Sequence, residues 1–388
     1  MKIPYGRQSI SDKDIEAVVK VLKSDFLTQG PKVPEFEDKV LSTVGAKKAV
    51  AVNSATSALH LACLALGLKS GDILWTCPIS FVASANCALY CGASVDFIDI
   101  DPSTLNISTV ELEKKLKFAE LEGKLPKILV AVHFSGNPCD MREINILAKR
   151  YNFYVIEDAS HAVGAKYNDE YIGNCRYSDI TVFSFHPVKI ITTAEGGMAV
   201  TNSNYLADKM RLLRSHGITR DQSSMENASR KKWYYEQVDL GFNYRMTDLQ
   251  AALGISQWDQ LDNFINNRHV LSDRYDKLLS NLPVIRPQKL LDRKSSIHLY
   301  VIRLQQSSSQ PTQEKVFDVL NDRGIFVNVH YIPIHTQPYF KKQGFNLGDF
   351  PESESYYKEA ISLPMFPGLT FEEQIYITKE LETVLVNG

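Results

Sequence analysis

The sequence of 388 residues has almost no excess of one charge: 43 Lys and Arg stand against 45 Asp and Glu, a formal net charge of −2. Proteins that bind nucleic acid or an anionic membrane through their overall field have a clear surplus of basic residues. No run of about 18 apolar residues is present to span a membrane, and the first residues, MKIPYGRQSISDKD, lack the apolar core of a signal peptide. We therefore expect a cytoplasmic protein with no nucleic-acid or membrane partner.

Cysteine is scarce as well: the chain has six cysteines, and none forms a Cys-x-x-Cys pair. A disulfide framework is not expected in a chain of this size without a secretion signal. Cys87 and Cys91 are four residues apart and so share one face of a predicted helix. We expect the cysteines to be small buried hydrophobic residues, with a metal or redox pair as the alternative. Because His-Glu-x-x-His and clustered His and Cys are absent, we predict no metal site.

The common nucleotide and hydrolase motifs are also missing. The sequence has no Gly-x-Gly-x-x-Gly after its first predicted strand and no Gly-x-x-x-x-Gly-Lys-Ser/Thr, which removes the usual markers of dinucleotide and nucleoside-triphosphate sites. It has no Gly-x-Ser-x-Gly, the turn that presents the nucleophile of α/β-hydrolases. Its chemistry must therefore be sought in other residues.

An alternation of strand-like and helix-like segments runs from about residue 45 to 215. Several strand candidates are nearly all apolar, as expected when both faces of a sheet are covered. The candidates span 49–53, 72–76, 94–100, 127–134, 153–158, 179–185 and 198–202. The pattern predicts an α/β fold with a mostly parallel central sheet.

The pattern changes after about residue 245. Residues 246–282 predict one long helix, and the remaining segments predict a smaller α+β domain that ends in a terminal helix. We place an N-terminal arm and a large α/β domain in 1–255, and a small C-terminal domain in 256–388. The Ser- and Gln-rich stretch 305–313 is predicted to be a surface loop.

Polar residues follow three of the predicted strands, where open α/β sheets bind their ligands. Ser54 and its neighbours begin a helix, so they either bind an anion or only cap the helix. Asp158 ends another strand and is either a capping or salt-bridged acid, a metal ligand, or an anchor for a cationic ring. Lys189 follows a third strand and either extends to solvent or has a chemical role.

Together, the three strand ends have the groups that pyridoxal 5′-phosphate needs. A lysine amine forms an imine with its aldehyde, and an acid keeps its pyridine nitrogen protonated so that the ring withdraws electrons. A helix N-terminus binds its phosphate, and an aromatic side chain such as Phe81 stacks on the ring. The sequence therefore predicts pyridoxal phosphate as the cofactor.

Eight segments resemble those of a known family. The chain is similar over essentially its whole length to the nucleotide-sugar aminotransferases of fold type I, the DegT–StrS group. The similar segments include FLTQGP (26–31), NSATSALHLA (53–62), PISFVASAN (78–86), IEDASHAVGA (156–165), FSFHPVKIITTAEGG (183–197), LRSHGI (213–218), GFNYRMTDLQAALG (241–254) and SLPMFPGLT (362–370). The resemblance implies a pyridoxal-phosphate-dependent aminotransferase with a large α/β domain and a smaller α+β domain.

The resemblance also implies residue roles in the cofactor site. Lys189 matches the lysine that binds the cofactor and moves the proton, and Asp158 matches the acid on the pyridine nitrogen. Phe81 matches the stacking position, and His161 matches the contact to the ring hydroxyl. The implied phosphate contacts are Ala55, Thr56, Ser184 and Asn243. Asn243 is expected to reach the phosphate of a partner subunit, which implies a homodimer with shared active sites.

Within the family, the resemblance is greatest to enzymes of pseudaminic acid biosynthesis. These aminate C4 of UDP-2-acetamido-2,6-dideoxy-L-arabino-hex-4-ulose, a UDP-linked 4-keto sugar, with L-glutamate as the donor. Tyr5 and His330 match positions near the sugar. His186 is either a packed histidine that orients the loop, or a residue that handles a proton or contacts the sugar.

Three other functions stay open at this point. One is amination of another 4-keto or 3-keto nucleotide sugar, linked to dTDP or GDP. Another is sugar dehydration, which the lysine at position 189 disfavours because the dehydratase branch has histidine there. The third is a non-catalytic sensor on the same fold, since fold alone does not fix function.

Overall fold

The structure is a computed structural model that describes residues 2–227, 231–305 and 311–387. The predicted loop at 305–313 lies mostly outside the described residues. The strands are β1 (Lys48–Val52), β2 (Ile73–Thr76), β3 (Ser94–Phe97), β4 (Ile128–Val132), β5 (Tyr154–Asp158), β6 (Lys166–Tyr167), β7 (Glu170–Tyr171), β8 (Ile180–Ser184), β9 (Gly197–Thr201), β10 (Ile218–Thr219), β11 (Glu236–Gln237), β12 (Val284–Ile285), β13 (Arg293–Lys294), β14 (Tyr300–Leu304) and β15 (Ala360–Leu363).

The helices surround and connect these strands. They are α1 (Asp12–Leu22), α2 (Lys32–Val44), α3 (Ala55–Ala65), α4 (Ala83–Tyr90), α5 (Thr109–Glu122), α6 (Met141–Tyr151), α7 (Asn204–Arg214), α8 (Asp248–Trp258), α9 (Leu261–Leu278), α10 (Gln313–Asp322), α11 (Pro338–Lys341), α12 (Pro351–Glu359) and α13 (Phe371–Asn387). Within the residues that the structure describes, none of these helices has the length and apolar character needed to cross a lipid bilayer.

A seven-stranded sheet forms the centre of the large α/β region, in the order β1-β9-β8-β5-β4-β2-β3. Strands β3, β2, β4, β5 and β8 pair in parallel, while β9 pairs antiparallel with both β8 and β1. All five residues of β4 and of β8 are buried, which explains their uninterrupted apolar sequences. The seven predicted strands are all present, and the expected mostly parallel α/β sheet is confirmed.

A second hydrophobic core lies in the C-terminal part of the chain. It packs the antiparallel sheet β12-β14-β15 against α10 and α13. The start of the chain joins this core, because Ile3 is fully buried and its backbone bonds to Gly324 and Phe326 at 2.8 and 2.9 Å. The domain boundary at 255 stays a prediction, and that position lies inside α8.

The predicted long helix over 246–282 is wrong in one respect. The structure divides it into α8 and α9, with Asp259 and Gln260 between them. Gln260 has φ −99° and ψ 3°, outside the helical region, and its N–H bonds three residues back to Gln257 at 3.0 Å instead of four. Hydrophobic periodicity continues across such a short break, so the sequence pattern did not reveal it.

Candidate active site

The carboxyl ends of β5 and β8 bring the predicted acid and lysine to one edge of the sheet. Asp158 ends β5 and lies opposite Val182 of β8 in the parallel register. Ser184 ends β8 and is buried. Lys189 follows in the connection from β8 to β9, where its N–H donates to the carbonyl of His186 at 2.9 Å. Neighbouring parallel strands thus create the shared edge at which ligands bind in such sheets.

Hydroxyl groups hold both oxygens of the Asp158 carboxylate. Ser84 Oγ donates to Oδ2 at 2.6 Å, and Ser80 Oγ lies 2.7 Å from Ser84 Oγ. Oδ1 accepts from the N–H and Oγ of Ser160 at 3.1 and 2.5 Å. Asp158 is only 5% exposed. Hydrogen bonds to both oxygens stabilise the carboxylate form. They also fix the orientation of the Asp158 side chain.

The Lys189 amine has an unusual environment for a lysine. Burial lowers the pKa of Lys189 from 10.5 to about 8, and the negative charge of Asp158 opposes that change. The cationic form of Lys189 in turn contributes to the lowered pKa values of His161, His298 and His330. The structure therefore gathers one amine, one carboxylate and three histidines within electrostatic reach. An amine with a pKa near 8 has a substantial neutral, nucleophilic fraction at neutral pH.

The lowered pKa of Lys189 predicts how its reactivity depends on pH. Only the neutral amine reacts with acetic anhydride, so the acetylation rate of Lys189 in the protein without cofactor should rise with pH and level off above about pH 8–9. The acetylation rate of a short model peptide with a single lysine, added to the same sample, should keep rising toward about pH 10. Mass spectrometry of the labelled peptides measures both rates in one sample. Parallel profiles for the two lysines would contradict the assigned environment.

The start of α3 forms the third part of the site. Ser54 caps the helix, and its Oγ accepts from the N–H of Ser57 at 3.1 Å, so the capping alternative is realised. Capping leaves the first N–H groups of a helix available to an anion, and these belong here to Ala55 and Thr56, both partly exposed. The two interpretations of this segment are therefore compatible.

Gly197 lies directly against this helix start. A Cβ atom at Gly197 would be 2.5 Å from the backbone nitrogen of Ala55 and 2.5 Å from the carbonyl carbon of Ser54. Both contacts are to backbone atoms, which cannot turn away as a side chain can. The glycine at the end of the Glu195-Gly196-Gly197 sequence thus lets β9 pack against the residues that would bind a phosphate.

Gly197→Ala should displace the start of α3 and weaken pyridoxal phosphate binding by at least about tenfold, because the N–H groups must converge on the phosphate. Equilibrium dialysis of the cofactor-free protein gives the Kd. Gly368→Ala is the control, since a Cβ there would meet only the Phe366 ring at 4.0 Å. An unchanged Kd in a folded Gly197→Ala protein would exclude this role for the helix start.

His161 is fixed by two hydrogen bonds. Its Nδ1 accepts the N–H of Ser135 at 3.2 Å, and its Nε2 lies 3.0 Å from Tyr331 Oη. Burial, with the positive charge of Lys189 next in effect, lowers the pKa of His161 well below 6.5. A neutral ring that accepts at Nδ1 has its proton on Nε2, so His161 donates to Tyr331. The hydroxyl hydrogen of Tyr331 is then free to donate to another group in the site.

The two residues expected near a sugar lie side by side. The rings of Tyr5 and His330 are 5.5 Å apart, and His330 Nδ1 lies 2.8 Å from Ser362 Oγ. Burial, aided by Lys189, lowers the pKa of His330 from 6.5 to about 3. His330 is therefore neutral and within electrostatic reach of the Lys189 amine.

The remaining predicted site residues differ in exposure and position. Phe81 is 60% exposed, and its ring is 6.4 Å from that of Tyr331. Asn243 is exposed, and its carbonyl accepts from Asn53 beside the start of α3 at 3.4 Å. His186 is exposed rather than packed, and its ring accepts a long bond of 3.5 Å from the N–H of Val188. The roles of all three stay predictions.

All six cysteines are free thiols, five of them buried and Cys91 partly buried. In the described ranges 2–227, 231–305 and 311–387, no group of three or more His, Cys, Asp or Glu residues is arranged to hold a metal ion.

Several residues of the site were not identified from the sequence. Ser84, Ser135, Ser160 and Tyr331 hold Asp158 or His161, and the His298 ring lies 4.4 Å from the His161 ring. Ser84, Ser160 and Tyr331 lie inside or beside motifs that the sequence had marked, but nothing local distinguishes them. Only their contacts reveal their importance.

The residues present fit pyridoxal phosphate. A buried carboxylate is fixed by hydroxyls, an amine has a lowered pKa, and a capped helix start has a glycine packed against it. These are a partner for a protonated ring nitrogen, a nucleophile for an aldehyde and a site for a phosphate. The chain's own groups thus meet the three separate requirements of this cofactor.

Comparison with known proteins gives a consistent result. Residues 8–382 match the DegT/DnrJ/EryC1/StrS aminotransferase family. The chain is 40% identical to the UDP-4-amino-4,6-dideoxy-N-acetyl-β-L-altrosamine transaminase of Campylobacter jejuni, over 99% of this chain and 97% of that protein. It superimposes on Helicobacter pylori PseC, an aminotransferase of pseudaminic acid biosynthesis, with a TM-score of 0.91 and 32% identity over 100% of both chains.

A second solved structure concerns the cofactor. The PLP form of Spr1654 from Streptococcus pneumoniae is 28% identical, with a TM-score of 0.88, over 99% of this chain and 98% of that chain. The resemblance drawn from the sequence motifs is thereby confirmed, and so is the fold that it implied.

Proposed function

Because the chain belongs to the DegT/DnrJ/EryC1/StrS aminotransferase family, we propose that it uses pyridoxal phosphate to transfer the amino group of L-glutamate to C4 of a UDP-linked 4-keto sugar. The proposed acceptor is UDP-2-acetamido-2,6-dideoxy-L-arabino-hex-4-ulose, and the proposed pathway is pseudaminic acid biosynthesis. The full-length similarity to the Campylobacter transaminase and to PseC supports this substrate. The family and the lysine at position 189 favour amino transfer over sugar dehydration and over a non-catalytic sensor.

The observation that carries the proposal is that Lys189, which follows β8, lies within electrostatic reach of Asp158 at the end of the neighbouring β5 and has an amine pKa of about 8. When bound, pyridoxal phosphate supplies an aldehyde for amines and a ring that withdraws electrons from the reacting carbon. Lys189 would provide the nucleophilic amine. Once its Nζ is free, it would take a proton from the donor carbon and deliver it to the cofactor carbon that carries the nitrogen. In the second half of the cycle it would move a proton in the reverse direction, from that cofactor carbon to C4 of the sugar. Such positioned proton transfer contributes about 10²–10⁴-fold to a rate.

The other residues of the site hold the cofactor in position and balance its charges. Asp158, held by Ser84 and Ser160, keeps a proton on the ring nitrogen. The N–H groups of Ala55 and Thr56 bind the phosphate, together with Ser184. The proposed role of Phe81 is to stack on the ring face, and that of His161 is to contact the ring hydroxyl. His161 also orients Tyr331, whose hydroxyl hydrogen is available to an oxygen of the cofactor or substrate.

A homodimer with shared active sites is part of the proposal. Asn243 is exposed at the edge of the cofactor site, as a residue that reaches a partner's phosphate would be. Tyr5 and His330, whose rings lie side by side, are proposed to contact the sugar. The exposed His186 is a further proposed sugar contact. A cytoplasmic location remains the expectation from the sequence.

The proposal is tested with nitrogen-labelled glutamate and a panel of UDP-, dTDP- and GDP-linked keto sugars, with products identified by mass. We expect label in the UDP-linked 4-keto-6-deoxy-N-acetyl sugar and release of 2-oxoglutarate. The matched control is the same sugar with a hydroxyl at C4, which cannot accept the amine. If every UDP sugar fails while a dTDP or GDP sugar is aminated, the substrate is wrong and the activity stands.

A further inference from the structure

A cavity of about 230 Å³ lies away from the Lys189 amine, between the large α/β region and the C-terminal sheet. Its walls come from the loops after β3 and β4, from α9, and from the chain that runs from β12 to β14. Lys189, Asp158 and His161 do not line it. The volume is just below the roughly 300–1,000 Å³ typical of sites for drug-sized ligands. The cavity therefore suits a compact small molecule, and it is separate from the cofactor site.

The lining of this cavity has one sign of charge. Five basic residues line it, and among the described residues no Asp or Glu does so. The basic residues are Arg286, Lys289, Arg293, Lys294 and Arg303. A concave surface with charges of one sign concentrates ions of the opposite sign. The whole chain has a net charge of −2, so this local surplus is not a consequence of overall composition.

Three of these cations have acidic partners outside the cavity. Lys289 pairs with Asp273 and Asp276 at 2.6 and 2.5 Å, and Arg293 pairs with Asp292 at 2.6 Å. Arg303 lies 3.7 Å from Glu359. These pairs hold the basic side chains in place at the wall and leave less of their charge available to a ligand.

The other two cations, Arg286 and Lys294, have no carboxylate partner within 4 Å in the described part of the chain. Arg286 donates one bond, from Nη1 to the carbonyl of Asp276 at 2.5 Å, which leaves further N–H groups of its guanidinium available. Both side chains are exposed, so no large desolvation penalty prevents them from moving toward an anion. Arg286 and Lys294 therefore supply the positive charge of the lining that has no carboxylate partner among the described residues.

Apolar side chains also line the cavity. Ile285 and Leu290 line the cavity with apolar surface that a ligand can reach, Ile285 being 41% exposed, and the buried Phe134 also lines it. Ser135, next in the chain, lines it too, and its N–H donates to His161 in the active site. The cavity thus has both cations and apolar side chains in its lining.

We propose that this cavity binds a phosphorylated small molecule, with its phosphate on Arg286 and Lys294 and its uncharged organic part against Ile285 and Leu290. Guanidinium groups bind phosphate through two parallel hydrogen bonds. A dianionic phosphate can also balance the charges of both unpaired cations, whereas a single carboxylate carries only one negative charge. The proposal is independent of the sugar substrate proposed above, because it concerns other residues.

The test measures binding of phenyl phosphate to the holoenzyme by isothermal titration calorimetry. Phenyl phosphate combines a phosphate dianion with an apolar ring. Inorganic phosphate lacks the ring, and benzoate has the ring but a carboxylate in place of the phosphate. We expect saturable binding of phenyl phosphate that is tighter than binding of either reference compound. The double variant Arg286→Ala/Lys294→Ala should weaken this binding at least about tenfold, since it removes both charge-assisted contacts.

The control is Lys341→Ala/Lys342→Ala, which removes two exposed charges at α11, outside the cavity. It should leave the Kd unchanged, and both double variants should retain amino transfer, which shows that they are folded. Equal phenyl phosphate affinity in the wild type and the Arg286→Ala/Lys294→Ala protein would overturn the proposed site. Equal affinity for benzoate would overturn phosphate as the recognised group.

Discussion

Lys189→Ala is expected to lower kcat for amino transfer by about 10⁴-fold, the upper range for a positioned proton-transfer group. The same substitution removes the nucleophile that binds the aldehyde, so borohydride should no longer attach the cofactor covalently to the protein. Lys189→Arg should be equally inactive. It keeps a positive charge near Asp158, but a guanidinium stays protonated and cannot act as a base.

Two measurements make this result specific to the amine. Lys341→Ala, at an exposed lysine outside the site, should retain wild-type turnover. Added ethylamine should restore part of the activity of Lys189→Ala but not of Lys189→Arg, because only alanine leaves space for the added base. Turnover within tenfold of wild type in Lys189→Ala would mean that another group transfers the proton.

Asp158→Asn is expected to lower kcat by about 10²–10³-fold, as the loss of one group that stabilises developing charge usually does. Asparagine keeps the shape and can still bond to Ser84 and Ser160, but it has no negative charge to hold a proton on the ring nitrogen. The pKa of Lys189 should fall further below 8, because the Asp158 charge now opposes its depression. The acetylation profile of Lys189 should therefore shift to lower pH.

The matched control is Asp179→Asn, which lies just before β8, at the opposite end of that strand from Ser184. Its side chain accepts from the N–H of Val155 at 2.8 Å, a bond that an asparagine oxygen can still make. Asp179→Asn should keep wild-type kcat. Ser84→Ala should fall between the two, since it leaves the Asp158 charge and removes one of its hydrogen bonds. Equal activity of the Asp158 and Asp179 variants would exclude the proposed role of Asp158.

The strands of the central sheet and the edge of the sheet that holds the chemistry could be predicted from the sequence. Short uninterrupted apolar segments such as 128–132 and 180–184, which alternate with helical segments, favour buried strands, and parallel strands present their carboxyl ends together. Asp158 and Lys189 each follow such a segment, so their proximity was a consequence of local patterns. The family motifs then added residue roles that no pattern of polarity could supply.

The break between α8 and α9 could not be predicted in the same way. Apolar residues recur across Asp259 and Gln260 as they would in one helix, while only Gln260 departs from helical backbone geometry. A pattern averaged over several turns does not detect so short an interruption.

The residues that tune the site were decided by the tertiary structure alone. Ser84 bonds to Asp158 from 74 positions away, and Tyr331 bonds to His161 across 170. The cations of the second cavity face a common space only because β12–β14 pack over the loop after β4. Periodicity and helix capping depend on neighbours a few residues apart, so the sequence by itself determines strands, helix starts and strand ends. Hydrogen-bond partners, burial and the resulting pKa of Lys189 depend on distant segments that meet only when the chain folds.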